Sequence, residues 1–384
     1  MNTIILSYGF KIIQIILLLS IFDCASITNE FAISKNDNNV LNSQPTDYVN
    51  PKTVEEIIRS GNEDYYQGKF QEAIGKANEA NSIRPTEEGF YLLGNSFYKN
   101  QDFINARVAY ENGLELNSRS ESLLAALALN LTTMGDDAKS IEVYTKLIEY
   151  FPDKEMYSFK RAVSFKSLKL YAEAFQEFQK VNSENFRYKS QLFIHLGDVC
   201  YNLQKYSLAI DYYLRARDID NSLIDAANGI QKAKFSFEME NGKKAYAEKK
   251  YDNAIQFFLR AIEVDKKNSI AFNDLGKSYL QNKQWSEAED SFKKSLSIDS
   301  KNIETYFLLG SLYSKNEKYL NSIQVFEKGI ENFPNSIELY DRLALSYKLS
   351  GKTKLAALTW VNAKEIDKSN LIVRKNLAIL FLEE

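Results

Sequence analysis

"YFLLGSLYSKNEKYLNSIQVF", residues 306–326, joins one apolar stripe to a second through a short polar turn. Its skeleton is a small residue, Gly310, then a second small residue, Ser322, twelve positions on, then an aromatic, Phe326, four further on. The same register runs along most of the chain. The first small residue is Gly61, Gly94, Ala128, Ala162, Gly197, Gly242, Gly276, Gly310 and Ala344, at steps of 33, 34, 34, 35, 45, 34, 34 and 34. The second is Ala73, Ala106, Ser140, Ala174, Ala209, Ala254, Ala288, Ser322 and Ala356. The aromatic follows in eight of these nine copies, from Tyr110 to Trp360, with Ala77 the exception.

A fixed period of this length is the mark of a repeat architecture, in which each copy holds half a core and stacking completes it. The spacing predicts two amphipathic helices of about a dozen residues per copy, joined by a tight turn. Small residues at facing positions let the helices approach, and the aromatics fill the space between ridges. Most of the 24 Tyr and 24 Phe are therefore packing residues. Pro85, Pro152 and Pro334 suit the links between copies, because proline follows a helix but cannot continue it.

The pattern resembles the tetratricopeptide repeat. "FNDLGKSYL" with "WSEAEDSFKKS" (272–295) and "YFLLGSLY" with "YLNSIQVFEKG" (306–329) match it position by position. The resemblance implies an all-α, right-handed α-solenoid of about nine helix pairs. Units one to five span 54–223, units six to nine span 235–370, and 371–384 forms a capping helix. The 45-residue step leaves eleven extra residues, about 224–234, read as a lengthened first helix of unit six or a short additional helix, and as a division between the two sets of units.

The resemblance also implies a binding face lined by the first helices, for a protein or an extended peptide. Transferred by repeat position, it selects Asn62, Tyr65, Tyr66, Tyr91, Asn95 and Tyr98 in units one and two. In units five to seven it selects Tyr201, Asn202, Tyr246, Asn273 and Lys277. Asn amides suit a peptide backbone, and Tyr offers rigid contact area with a polar tip. Ile58 with Asn62, and Ser122 with Ala126, stand where a carboxylate-clamping subtype carries Lys and Asn and then Lys and Arg, so that clamp is not expected at the N-terminal end.

Little else carries chemistry. His195 is the single histidine of 384 residues, and Cys24 and Cys200 are the two cysteines. Neither general acid–base catalysis nor a metal centre is expected from that stock, and no cofactor. A net charge of −3 steers the chain toward neither nucleic acid nor an anionic membrane. "GKTK" at 351–354 lacks the earlier glycine of a phosphate loop and sits at a turn position. "NLT" at 130–132 matches a glycan acceptor by coincidence within a helix. Cys200 occupies a packing position, with a Cys24–Cys200 disulfide as the minor alternative.

Residues 1–23 read as an export signal: Lys11, then "IIQIILLLSIF", then "DCAS". Cys24 resembles the lipid-bearing cysteine of a bacterial lipoprotein, although Phe22 and Asp23 depart from that pattern. Cleavage after Ser26 to a periplasmic or secreted protein, and a retained anchor, remain the other readings. Residues 24–50, rich in Asn, Ser and Asp, read as a flexible tether. The expectation is a non-enzymatic, exported scaffold of the bacterial envelope, anchored at its membrane; the alternative is an accessory or regulatory subunit whose activity lies in its partner.

Overall fold

The computed structural model describes residues 51–383, all in helices and short connections, with no strand among the described residues. They form two compact units that divide between Asn182 and Ser183. Each is an all-α stack of antiparallel helix pairs.

The first unit holds α1 (Pro51–Tyr66), α2 (Phe70–Ile83), α3 (Glu87–Lys99), α4 (Phe103–Leu116), α5 (Glu121–Thr133), α6 (Asp137–Tyr150), α7 (Glu155–Ser167) and α8 (Tyr171–Phe178). The second holds α9 (Lys189–Asn202), α10 (Tyr206–Ile219), α11 (Ile224–Ala247), α12 (Tyr251–Val264), α13 (Ser269–Gln281) and α14 (Trp285–Ile298). It continues through α15 (Ile303–Lys315), α16 (Tyr319–Asn332), α17 (Ile337–Leu349), α18 (Thr353–Ile366) and α19 (Leu371–Glu383). Odd-numbered helices are the first of each pair, and α19 is a final first helix that buries Val373, Leu377 and Leu380 beside Trp360.

Each pair closes the same way. The second residue after the first helix takes a left-handed conformation: Gly68, Gly135 and Gly351 in three turns, and Gln101, Lys169, Gln204, Lys249, Lys283 and Glu317 in the other six. The next N–H then reaches back five residues, as Gln284 donates to the Tyr279 carbonyl at 2.9 Å and Lys352 to that of Tyr347 at 2.9 Å. That bond satisfies a carbonyl the helix end would otherwise leave open. "GKTK" accordingly begins in a turn, with Gly351 at φ 79°. At the links, Thr86, Ser120, Asn268, Asn302 and Ser336 cap the following first helix through their side chains.

The small-residue register has a direct physical cause. An added Cβ on Gly197, Gly242 or Gly276 would stand 2.6 Å from the ring of Tyr213, Phe258 or Phe292, sixteen residues later. The second small residues, from Ala73 to Ala356, are buried. Where that residue is serine, a hydroxyl cluster replaces the methyl: Ser322 bonds the Gly310 carbonyl at 2.9 Å and meets Ser314 at 2.9 Å and Ser346 at 2.8 Å.

Two departures from regularity matter. The fourth pair's second helix stops after eight residues at Phe178, and 179–188 runs without helix, burying Val181 and Phe186 instead. The Asn- and Ser-containing "VNSEN" there favours turns over helix. By contrast, the extra residues near 224–234 belong to one continuous 24-residue helix, α11. Eleven residues make about three turns, so the buried face is kept while the pairing shifts about 16 Å along the axis. Gly229, in the first half of α11, meets Tyr213 of α10; Gly242, in the second half, meets Phe258 of α12. One helix thus serves two neighbours at different heights.

Candidate functional site

The sequence-selected residues fall into two sets, one in each unit. In the first unit Asn62, Tyr65 and Tyr66 lie on α1, and Tyr91, Asn95 and Tyr98 on α3, the adjoining first helix. Tyr66 is 74% exposed, the most open aromatic of the set, and its ring meets Tyr65 edge-on at 5.5 Å. Asn95 accepts a hydrogen bond from the Tyr110 hydroxyl at 2.8 Å, which fixes its amide. The Tyr98 hydroxyl lies 3.1 Å from that of Thr133, on the next first helix, α5. Asn62 and Tyr91 are half-buried.

Four of the tyrosines share a second duty. Tyr65 meets Phe70, Tyr98 meets Phe103, Tyr201 meets Tyr206 and Tyr246 meets Tyr251, at centroid distances of 5.8, 5.5, 5.3 and 5.6 Å. Each pair spans five residues across the turn from first to second helix. One part of each ring therefore closes the turn. This i, i+5 aromatic pattern is visible in the sequence and marks the turn-closing rings.

In the second unit Tyr201 and Asn202 lie on α9, Tyr246 on α11, and Asn273 and Lys277 on α13. The Lys232 ammonium sits 4.3 Å from the Tyr201 ring centroid, and the Tyr201 hydroxyl lies 3.1 Å from that of Ser236. Asn202 is exposed and donates to the Asp198 carbonyl at 2.8 Å. Asn273 is buried: it accepts from the Thr305 hydroxyl at 2.8 Å and donates to Glu304 at 3.1 Å. Its amide bridges α13 to α15.

Lys277 completes that bridge, 2.7 Å from Glu304 and 3.5 Å from Asp274. Burial opposes its charge, but the bond to Glu304 and the nearby carboxylates prevail and its pKa is raised. Burial also raises the Asp274 carboxyl, against the pull of Lys277 and Lys243. The face here is a charged cluster already balanced within itself.

A feature the sequence did not announce lies at the step in α11. A pocket of about 440 Å³, open to solvent, is lined by Lys205, Tyr206 and Asp211 at the start of α10 and by Phe237, Glu240 and Asn241 of α11. It lies where α11 continues past the start of α10.

The other residues of chemical interest lie within or partly within the packing. Cys200 is fully buried, and burial pushes its thiol up to about 11. His195 is half-buried on α9. Asn130, of the glycan-like triplet, is buried and donates to the Phe103 carbonyl at 2.9 Å. Among the described residues no three His, Cys, Asp or Glu side chains converge to hold a metal, and no helix is long and apolar enough to cross a membrane. The leader, Cys24 and the tether lie outside the described residues.

Tetratricopeptide-repeat family models match residues 123–154, 257–290, and 245–268 with 303–336. Among solved structures, the C-terminal part of a TPR repeat-containing protein from Cytophaga hutchinsonii is 24% identical, with a TM-score of 0.43, over 65% of this chain and 98% of that one. MamA is 19% identical, with a TM-score of 0.33, over 45% of this chain and 95% of its own. YrrB, described as a TPR protein with an unusual peptide-binding site, is 20% identical, with a TM-score of 0.35, over 52% of this chain and 97% of its own. No curated protein matches the chain.

Proposed function

We propose that this chain, a tetratricopeptide-repeat protein, is a non-catalytic scaffold that binds a protein or extended peptide along its first-helix faces and serves as an accessory subunit to that partner. Proteins of this fold act generally as protein- and peptide-binding scaffolds. The observation that carries the reading is the first-helix face of the first unit. There Asn62, Tyr65, Tyr66, Tyr91, Asn95 and Tyr98 stand on two adjoining helices, with Tyr66 open to solvent. Exposed tyrosine supplies contact area at low entropic cost, and the free amide atoms suit a peptide backbone. In the second unit the exposed Asn202 and the open pocket at the α11 step offer a further surface.

Placement at a bacterial membrane through an acylated Cys24 is supported by the leader-like first 23 residues and the Asn- and Ser-rich tether. Metabolic labelling with an alkyne fatty acid, compared with Cys24→Ser, tests that part alone. The binding role is tested by in-cell crosslinking and pull-down of the full-length protein beside Asn62→Ala/Tyr66→Ala and the triple variant that adds Asn95→Ala. A defined partner lost in both variants supports the assignment; an unchanged partner list withdraws it from this face.

A further inference from the structure

The net charge of −3 conceals a segregation inside the second unit. First helices there run parallel to one another and antiparallel to their partners, so first-to-second turns gather at one edge and the links between pairs at the other. The four turns that follow α11 are residues 248–250, 282–284, 316–318 and 350–352. They hold Lys249, Lys250, Lys283, Lys318 and Lys352, and Lys315, Lys348 and Lys354 flank them within two residues. Within the same two-residue flanks the acids are Glu248, Asp252 and Glu317, three against eight lysines, and Glu289 of α14 also reaches Lys318. The links at the other edge, with the same flanks, carry eight acids against four lysines. The corresponding turns of the first unit carry no such excess: four lysines face three acids. Segregation is thus a property of this stretch rather than of the repeat.

A second feature coincides with the lysines. Trp285, Leu320, Leu349 and Leu355 lie in or beside the same turns with 45, 62, 56 and 43% of their surface exposed. Lys250 pairs with Glu248 at 2.8 Å and Lys318 reaches Glu289 at 3.5 Å. Lys249, Lys283, Lys315, Lys352 and Lys354 make no ion pair among the described residues.

We propose that this edge docks peripherally on an anionic phospholipid surface. Ammonium groups are attracted to the negative headgroup layer, while tryptophan and leucine enter the boundary between headgroups and acyl chains. The combination favours lipid over a polyanion such as nucleic acid. Exposed leucines gain nothing from a phosphate backbone, and of the rings at this edge only Trp285 is exposed, Tyr246, Tyr251 and Tyr319 being half-buried, where a strand would call for a row of open stacking rings. The acidic links at the far edge are turned away from the membrane. The proposal rests neither on the first-helix binding reading nor on acylation of Cys24.

The chain's two tryptophans make the test specific. Trp360 is buried and donates to Asp341 at 2.8 Å, and residues 1–50 contain none, so a lipid-sensitive tryptophan signal reports Trp285 even if the leader inserts. The full chain is mixed with phosphatidylcholine vesicles with and without phosphatidylglycerol, part of the lipid being brominated. The expected result is a blue shift and quenching only with the anionic vesicles, absent in Trp285→Phe and reversed by high salt. Charge reversal at Lys249, Lys283, Lys318 and Lys352 to Glu should weaken vesicle binding at least about tenfold, while Arg at the same positions retains it. Equal quenching on neutral vesicles, no quenching on anionic ones, or binding unchanged by the charge reversal would overturn the proposal. An equal blue shift from a single-stranded oligonucleotide would overturn it too, and reassign the edge.

Discussion

The ring of Phe292 lies against Gly276, its Cε1 2.6 Å from where a Cβ on that glycine would stand. Gly276→Ala sets two effects against each other. Removing a helix-interior glycine favours folding by about 1 kcal/mol, while forcing a methyl into a filled contact costs about 1–3 kcal/mol. The contact wins, for a net loss of up to about 2 kcal/mol. Denaturant unfolding measures this, and Phe292→Leu in the alanine background should recover part of the loss as a positive coupling in a double-mutant cycle.

Six of the nine turns hold a non-glycine residue at φ between 58° and 63°. A Cβ in that region is strained by about 1–2 kcal/mol, offset in part by the greater freedom glycine has when unfolded. Gln101→Gly and Glu317→Gly should each therefore stabilise by up to about 1 kcal/mol. Gly135→Ala, the reverse change at an equivalent turn, should destabilise by a similar amount. Thermal melts of the three variants decide it.

Glu177 is buried and held by Arg161 at 2.7 Å and Lys180 at 2.8 Å. Burial would raise its pKa, but the two bonds outweigh it and the pKa is lowered from 4.5. Its stabilisation is therefore present in full above pH 4.5 and is lost as pH falls through the lower folded value. Glu177→Gln should cost about 2–3 kcal/mol at neutral pH, because Arg161, with 14% of its side chain exposed, loses its counter-charge. The same substitution should also flatten this group's part of the acid limb in a stability–pH curve.

Cys200 should be unreactive while the protein is folded. Its thiol is fully buried and raised to about 11, so at neutral pH it is neither accessible nor ionised. In a Cys24→Ser background, maleimide labelling of Cys200 should proceed only as fast as the second unit opens, and at once in denaturant. Rapid labelling of the folded protein would contradict the packing around α9.

The repeat register was legible in the sequence because steric demand writes it there: small residues stand where rings must pass, as Gly242 does under Phe258. The truncation at Phe178 was less so, since its cause is spread over the turn-forming "VNSEN". The site was read less well than the fold. Repeat position placed Asn273 on the binding face, but its amide is spent on Thr305 and Glu304, some thirty residues later, and no local pattern declares such a bridge. Repeat position selects Tyr98 and Tyr201 for contact surface, but part of each ring closes its own turn. A whole-chain charge near zero averaged away the lysine edge after α11.

The central claim, that partners lie along the first helices, is tested most directly by a photo-crosslinking scan in cells. A photoreactive residue is placed at Tyr66 and Asn202, exposed on first helices, and at Asn112 and Lys294, exposed on second helices. The account predicts discrete crosslinked polypeptides from the first two positions and none from the others. Crosslinks confined to Asn112 and Lys294 would place binding on the second helices and contradict it.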